Sequence, residues 1–216
     1  MFGRIVPRYD LLNRVMSLGM DGRWRRMAAS LAEPRDACIL DLGTGTGDLA
    51  FELGRQGAAR DFGVDFTPEM LAAARSKTDG SGVVWLLGDA LTLPYRDATF
   101  DAVTNAFLLR NLADLRQGLE EMARVLRPGG RLVCLDMTHP RPGPFATLYR
   151  LYFGKVLPFV AGTISGDRPA YSYLPHSLEG YPDAEALARL LSEIGLRDVK
   201  ATRLGGGSVA LHTARK

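Results

Sequence analysis

Cys38-Ile39-Leu40-Asp41-Leu42-Gly43-Thr44-Gly45-Thr46-Gly47-Asp48 is the stretch that decides the fold. A short apolar run ends in a carboxylate, breaks into glycines at every second position, and passes into Leu49, Ala50 and Leu53 at helical spacing. That is a strand, a tight loop and the start of a helix. Glycines let the backbone approach a ligand closely, and the free N–H groups of a helix N-terminus favour negative charge. A dinucleotide loop has the spacing G-x-G-x-x-G, but counting on from Gly43 and Gly45 puts Asp48 at the third glycine's place. The spacing here is G-x-G-x-G, with Asp41 just ahead of it.

A carboxylate in that position repels a pyrophosphate and suits the ammonium and sulfonium of S-adenosylmethionine. The loop therefore reads as the cofactor loop of a Rossmann-like methyltransferase, with Asp41, Gly43, Gly45, Thr46 and Gly47 against the cofactor. The next strand, from Arg60, ends at Asp65, 22 positions after Gly43, where an α/β nucleotide site places a carboxylate to accept both ribose hydroxyls. Phe66 beside it belongs to the same expected pocket. Thr67-Pro68 opens a helix to Lys77, and Thr67 fills the cap position, which leaves Asp65 for the ribose. Val83 to Leu87 reads as a buried strand by its β-branched and aromatic content. After it, Asp89 is placed to accept from the adenine amino group and Ala90 leaves room for the ring. The fourth strand, Phe100 to Asn105, ends at the mouth of the sheet beside the first, so Asn105 joins the cofactor residues and the run to Asn111 borders the crevice.

Composition bounds the rest. With 216 residues, 46% of them hydrophobic, the chain suits one domain over 1–216 with a well-buried core. A net charge of +3 comes from scattered arginines, so no nucleic-acid partner is indicated. The fourth strand also lacks the Asn/Asp-Pro-Pro-Tyr run that presents a flipped base amine. Cys38 and Cys134 lie in apolar runs, outside any Cys/His cluster, so they read as core residues in a reducing compartment and no metal is expected. With no signal peptide and no apolar run approaching a membrane span, the expected location is cytoplasmic.

Leu115, Leu119, Met122 and Leu126 recur at helical spacing over 114–126, Arg127 to Gly130 is a turn, and Arg131 to Asp136 a fifth strand. Residues 138–182 break this rhythm, holding more than half of the prolines, His139, His176 and an apolar middle from Phe145 to Phe159. Leaving the fifth strand at its carboxyl end, they form a lid or greasy substrate wall over the ligand face, which implies an apolar substrate or a membrane-surface contact; a homodimer interface is the alternative. Residues 1–30, rich in aromatic and polar residues, read as a surface helix pair or a helical flap across the cofactor. Asp183 caps a helix with Leu187, Leu190, Leu191 and Ile194, and two strands from Val199 and Val209 close the chain as a hairpin in which His212 is structural. The fold class is α/β: a Rossmann-like, mainly parallel seven-stranded sheet with a C-terminal antiparallel hairpin and helices on both faces, the sheet of class I methyltransferases.

The whole chain resembles the ubiquinone/menaquinone biosynthesis C-methyltransferases of the UbiE/MenG type. Tyr9-Asp10-Leu11-Leu12-Asn13, Ser17, Gly19 and Trp24 meet that family's opening pattern, and Arg124-Val125-Leu126-Arg127-Pro128-Gly129-Gly130-Arg131-Leu132 meets its second. Leu109-Arg110-Asn111, Tyr173-Leu174-Pro175, Pro182-Asp183 and Val209-Ala210-Leu211-His212 also look like the family. The chain departs from it at Asp21, where a histidine is usual, at Asp136-Met137-Thr138-His139-Pro140, where a Glu-Phe-Ser-Lys-Pro-like run is usual, and at His176, where an acidic residue is common. The resemblance implies an S-adenosylmethionine-dependent enzyme that methylates a ring carbon of a lipophilic prenylated quinol, with another small aromatic or lipid-like acceptor as the alternative. It also implies that Tyr9 closes over the methionine part of the cofactor. Such a ring carbon becomes nucleophilic when the neighbouring hydroxyl ionises. The catalytic candidates are accordingly Arg110, a fixed positive charge near the phenolate unless it pairs with Asp114 or another carboxylate, Asn111, a hydrogen-bonding orienter, and His176 or His139 as proton acceptor.

Overall fold

The structure is a computed structural model that describes residues 10, 13, 14, 17–77, 82–141, 143 and 177–216. In chain order its main elements are α1 (Asp21–Leu31), β1 (Cys38–Leu42), α2 (Asp48–Arg55), β2 (Arg60–Asp65), α3 (Pro68–Lys77), β3 (Val84–Leu87), β4 (Phe100–Ala106), α4 (Leu115–Val125), β5 (Leu126–Met137), α5 (Ala184–Glu193), β6 (Arg197–Leu204) and β7 (Val209–Arg215). The strands form one sheet in the order β3-β2-β1-β4-β5-β7-β6. β1 to β5 are parallel, and β7 runs antiparallel to both β5 and β6. The chain winds outward from β1 through β2 to β3, then returns to the other side of β1 as β4. That reversal opens a crevice between the carboxyl ends of β1 and β4.

The two faces of the sheet follow from the period-two alternation of strand side chains. Leu40, Leu42, Leu132 and Cys134 pack on one face with Leu119, Met122 and Val125 of α4 and Leu187 and Leu191 of α5. Ile39, Val133 and Leu135, the intervening positions, pack on the other with Trp24, Ala28 and Ala29 of α1 and Leu49 and Leu53 of α2. Each fully buried large apolar side chain here contributes roughly 1.5–3 kcal/mol relative to exposure. Asp114 caps α4 by accepting from Gln117 N at 3.0 Å, and Asp183 caps α5 by accepting from Ala186 N at 2.7 Å.

Two sequence expectations change. β3 is not buried: it is the edge strand, with Val84 51% and Leu87 54% exposed. The reason is that no helix separates β3 from β4; a loop does, and its Tyr95 folds back onto Phe100 with ring centroids 4.9 Å apart. β5 starts at Leu126 rather than Arg131, because Leu126 pairs with Phe100 and Gly129 and Gly130 exchange backbone hydrogen bonds with Lys216. Of residues 138–182, only 138–141, 143 and 177–182 are described, so the expected lid lies largely outside the described residues, as does most of the flap before residue 17.

Candidate active site

Leu42 delivers the chain into a loop where Gly43 and Gly47 take φ of +64° and +87°, a region that side chains with a Cβ rarely adopt. A Cβ on Gly43 would lie 2.7 Å from the Leu108 side chain, and one on Gly47 would lie 2.7 Å from Trp85. The loop therefore lies close against its neighbours, and a cavity of about 310 Å³ opens beside it. Gly43, Gly45, Asp65, Phe66, Asp89, Ala90, Ala106, Phe107 and Asn111 are among its walls. A smaller cavity continues around Gly43, Gly45 and Ala106 to Arg25, Asp41, Thr44, Thr46 and Asp48.

Carboxylates stand at both ends. Asp65, at the end of β2, accepts from Gly45 N and from Thr67 N, each at 2.8 Å, so it fixes the glycine loop to the start of α3. It is thus not free of the helix start, as the Thr67 cap would leave it: the Thr67 hydroxyl and the Phe66 N–H also favour its charged form. Burial raises its pKa, opposed by those N–H groups. Asp41 is buried and accepts from the Thr44 hydroxyl at 2.7 Å and the Thr104 hydroxyl at 3.0 Å. Burial pushes its pKa up to about 7 against the pull of those hydroxyls and of Arg25. Asp89 accepts from Leu91 N at 2.9 Å, which turns the chain after β3 and sets Ala90 in the cavity wall. Phe66 is 74% exposed, an aromatic ring standing at the mouth. Thr46 donates to Asp10 at 2.7 Å, and Lys77 joins Asp10 at 2.5 Å to Asp48 at 3.1 Å, so the N-terminal segment touches the glycine loop.

Asn105 is the correction among the cofactor residues. Its amide faces away from the cavity and donates to Cys134 Sγ at 3.1 Å and Met122 Sδ at 3.6 Å. Alternation along β4 sends Thr104 to Asp41 and gives Ala106 to the cavity wall, a parity that the sequence already contained.

After β4, Phe107 takes φ +63° and donates its N–H to Leu135 O at 2.7 Å. A turn over Leu109–Asn111 then sets Asn111 in the wall, its amide donating to Phe107 O at 3.1 Å. Arg110 sits behind that wall: its guanidinium donates to Asp136 Oδ1 at 2.5 Å and to Phe107 O at 3.0 Å. The partner is Asp136 and not Asp114, which caps α4. Both Arg25 and Arg110 lie over the Phe107 ring, 5.5 and 5.6 Å from its centroid. Tyr9 and His176 fall outside the described residues. His139 is held by Tyr181 O at 3.2 Å and His212 by Ala184 O at 2.8 Å, far from the glycine loop in sequence and bound to backbone.

The comparisons with known proteins meet this geometry. The sequence pattern of the ubiE/COQ5 methyltransferase family matches residues 1–216. The chain belongs to this family. It is 51% identical to the demethylmenaquinone methyltransferase of Thermus thermophilus over 98% of both chains. It is 50% identical to that of Deinococcus radiodurans, over 91% of this chain and 83% of the other. Among solved structures, a SAM-dependent methyltransferase from Thermotoga maritima superposes with a TM-score of 0.70 at 20% identity, covering 100% of this chain and 97% of that one. The protein is a class I methyltransferase by fold and family, and that class uses S-adenosylmethionine. The residues present fit such a donor: a cavity floored by close-packed glycines, with the Asp65 carboxylate in its wall at one end and Asp41 in the adjoining recess at the other. Missed by the sequence reading were Arg25 and Thr104, whereas Ala106 and Phe107 lie in the run to Asn111 that it set beside the crevice without giving them roles of their own. Asp21 and Arg25, four apart on one helix face, were the readable signal for the first of them.

Proposed function

We propose that this protein methylates a ring carbon of a prenylated quinol, demethylmenaquinol or a related benzoquinol, in quinone biosynthesis. The observation that carries the proposal is the cavity between Asp41 and Asp65 in a chain that is 51% identical, over 98% of its length, to a demethylmenaquinone methyltransferase. S-adenosylmethionine, when bound, supplies a methyl group on a sulfonium that is its own leaving group. Asp65 holds the ribose hydroxyls, Asp89 and Ala90 hold the adenine, and Asp41 faces the ammonium. Asn111 orients the acceptor's hydroxyl at the wall it lines. Arg110 supports that task from behind, as the strut that fixes the Phe107 carbonyl and the turn against Asp136. Orientation of this kind supplies roughly 7–11 kcal/mol of a bimolecular barrier. In our reading residues 1–30 close over the cofactor and residues 138–182 over the quinol, with His176 or His139 near the acceptor and an apolar lid that meets the membrane surface. No helix among the described residues is long and apolar enough to cross a membrane.

A single-turnover reaction with labelled S-adenosylmethionine and each reduced, ring-demethylated prenylquinol tests this, with mass spectrometry locating the new methyl. A methyl on ring carbon is the expected result. Cofactor binding without transfer to either quinol would assign the acceptor to another lipid-like aromatic.

A further inference from the structure

We infer that Arg25 binds the α-carboxylate of the cofactor's methionine part and that Asp21 holds it in place for that task; this rests on the reading that S-adenosylmethionine is the donor. The smaller cavity, about 20 Å³, marks the direction in which an amino-acid tail would extend from the ribose end, since it shares Gly43, Gly45 and Ala106 with the larger one. That tail is a zwitterion, so its recess needs one group of each sign. Asp41 supplies the anion. Among the described lining residues Arg25 is the sole cation, and Asp48, a second carboxylate, is drawn to Lys77 at 3.1 Å.

Arg25 is prepared for such a ligand. Its side chain is buried on α1, Nη1 donates to Asp21 Oδ2 at 2.5 Å, and Ser17 steadies the other Asp21 oxygen at 2.9 Å. The Phe107 ring lies 5.5 Å from the guanidinium carbon and limits its swing. A guanidinium presents five N–H donors in a planar fork that matches a carboxylate, and among the described residues Asp21 is the only hydrogen-bond partner recorded for this one. Asp21 thus orients the fork and leaves donors for a second carboxylate. Asp21 departs from the family's usual histidine, and it bonds Arg25, which lines the recess.

The test is calorimetric binding of two uncharged-sulfur ligands that differ in the amino-acid tail: S-adenosylhomocysteine, which has it, and 5′-methylthioadenosine, which lacks it. Wild type is expected to bind both, S-adenosylhomocysteine more tightly. Arg25→Met is expected to weaken S-adenosylhomocysteine by about ten- to a hundredfold, the scale of a charge-assisted hydrogen bond, and to leave 5′-methylthioadenosine within about twofold. Arg25→Lys, which keeps the charge and loses the fork, is expected to fall between and serves alone if the Met variant does not fold. Asp21→Asn is expected to reproduce a smaller part of the same selective loss. Equal weakening of both ligands, or an unchanged S-adenosylhomocysteine affinity, would overturn the role of Arg25. Failure of the wild type to bind either ligand would instead overturn the donor assignment beneath it.

Discussion

Asp61 offers a stability experiment with a computable size. It lies in β2, is 5% exposed, and among the described residues neither carboxylate oxygen has a hydrogen-bond partner of good geometry. In register with Ile39, it shares the sheet face covered by α1 and α2. Burial, with Asp41 adding a second negative charge, pushes its pKa from 3.8 up to about 8, and only the neighbouring Phe62 N–H pulls it back. The folded protein therefore keeps a proton that the unfolded chain has already lost. The contribution of Asp61 to stability is most favourable below its unfolded pKa and declines as pH rises toward the folded one. At pH 7 the gap between pH and the unfolded pKa is about 3.2 units, which at 1.36 kcal/mol each makes the cost about 4 kcal/mol; at pH 5 the same reasoning gives about 1.6. Asp61→Val removes the charge and suits a buried parallel strand. At pH 7 it should stabilise the protein by about 2–4 kcal/mol, or roughly 4–16 °C in melting temperature. Asp61→Asn should gain less, since its amide stays unsatisfied at a cost of about 1–3 kcal/mol. Urea denaturation followed by circular dichroism at pH 5, 6, 7 and 8 gives both stability and slope. The wild type should lose stability across this range, and Asp61→Val should show a shallower loss, sustained by Asp41 and Asp65, whose pKa values burial also raises. A Val variant less stable than wild type at pH 7, or one with the wild-type slope, would refute the reasoning.

Two further outcomes follow from the site. Asp65→Ala removes the ribose acceptor and also releases Gly45 N and Thr67 N, so S-adenosylhomocysteine affinity should fall at least about tenfold by calorimetry; unchanged affinity would remove Asp65 from the site. Arg110→Ala strands the buried Asp136 carboxylate and should destabilise the fold by about 3–5 kcal/mol. Arg110→Lys, retaining the charge, should lower kcat with quinol while leaving S-adenosylhomocysteine affinity within about twofold; full turnover would defeat the assignment.

The elements set by local pattern were legible: the glycine loop of β1, the helix capped by Asp183, the core stripe of α4, and the terminal hairpin. Spacing also brought Asp65, Asp89 and Ala90 to one cavity and Asp41 to the recess that continues it, because strand ends in a wound sheet converge whatever their side chains. What required coordinates was direction and partnership. Asn105 and Ala106 are adjacent in sequence, yet a half-turn of the strand sends one to sulfur atoms and the other to the cavity. For Arg110 the sequence named Asp114 and left any other carboxylate open, and the adjacency of β4 and β5 is what brings Asp136 to it. β3 looked buried because Val, Trp and Leu are its residues; the absence of a following helix is a property of the loop, which no strand propensity reports.

That open strand governs how the protein behaves in a crowded tube. Val84, Leu86 and Leu87 are all exposed at the rim of the sheet, and Phe66 adds a fourth apolar side chain in the open. An edge strand with greasy side chains in solvent is a template for another strand. Concentrated, partly unfolded samples would associate first along this strip, so Val84, half in solvent and remote from Asp41 and Asn111, is the position where a lysine would protect solubility without entering the cavity.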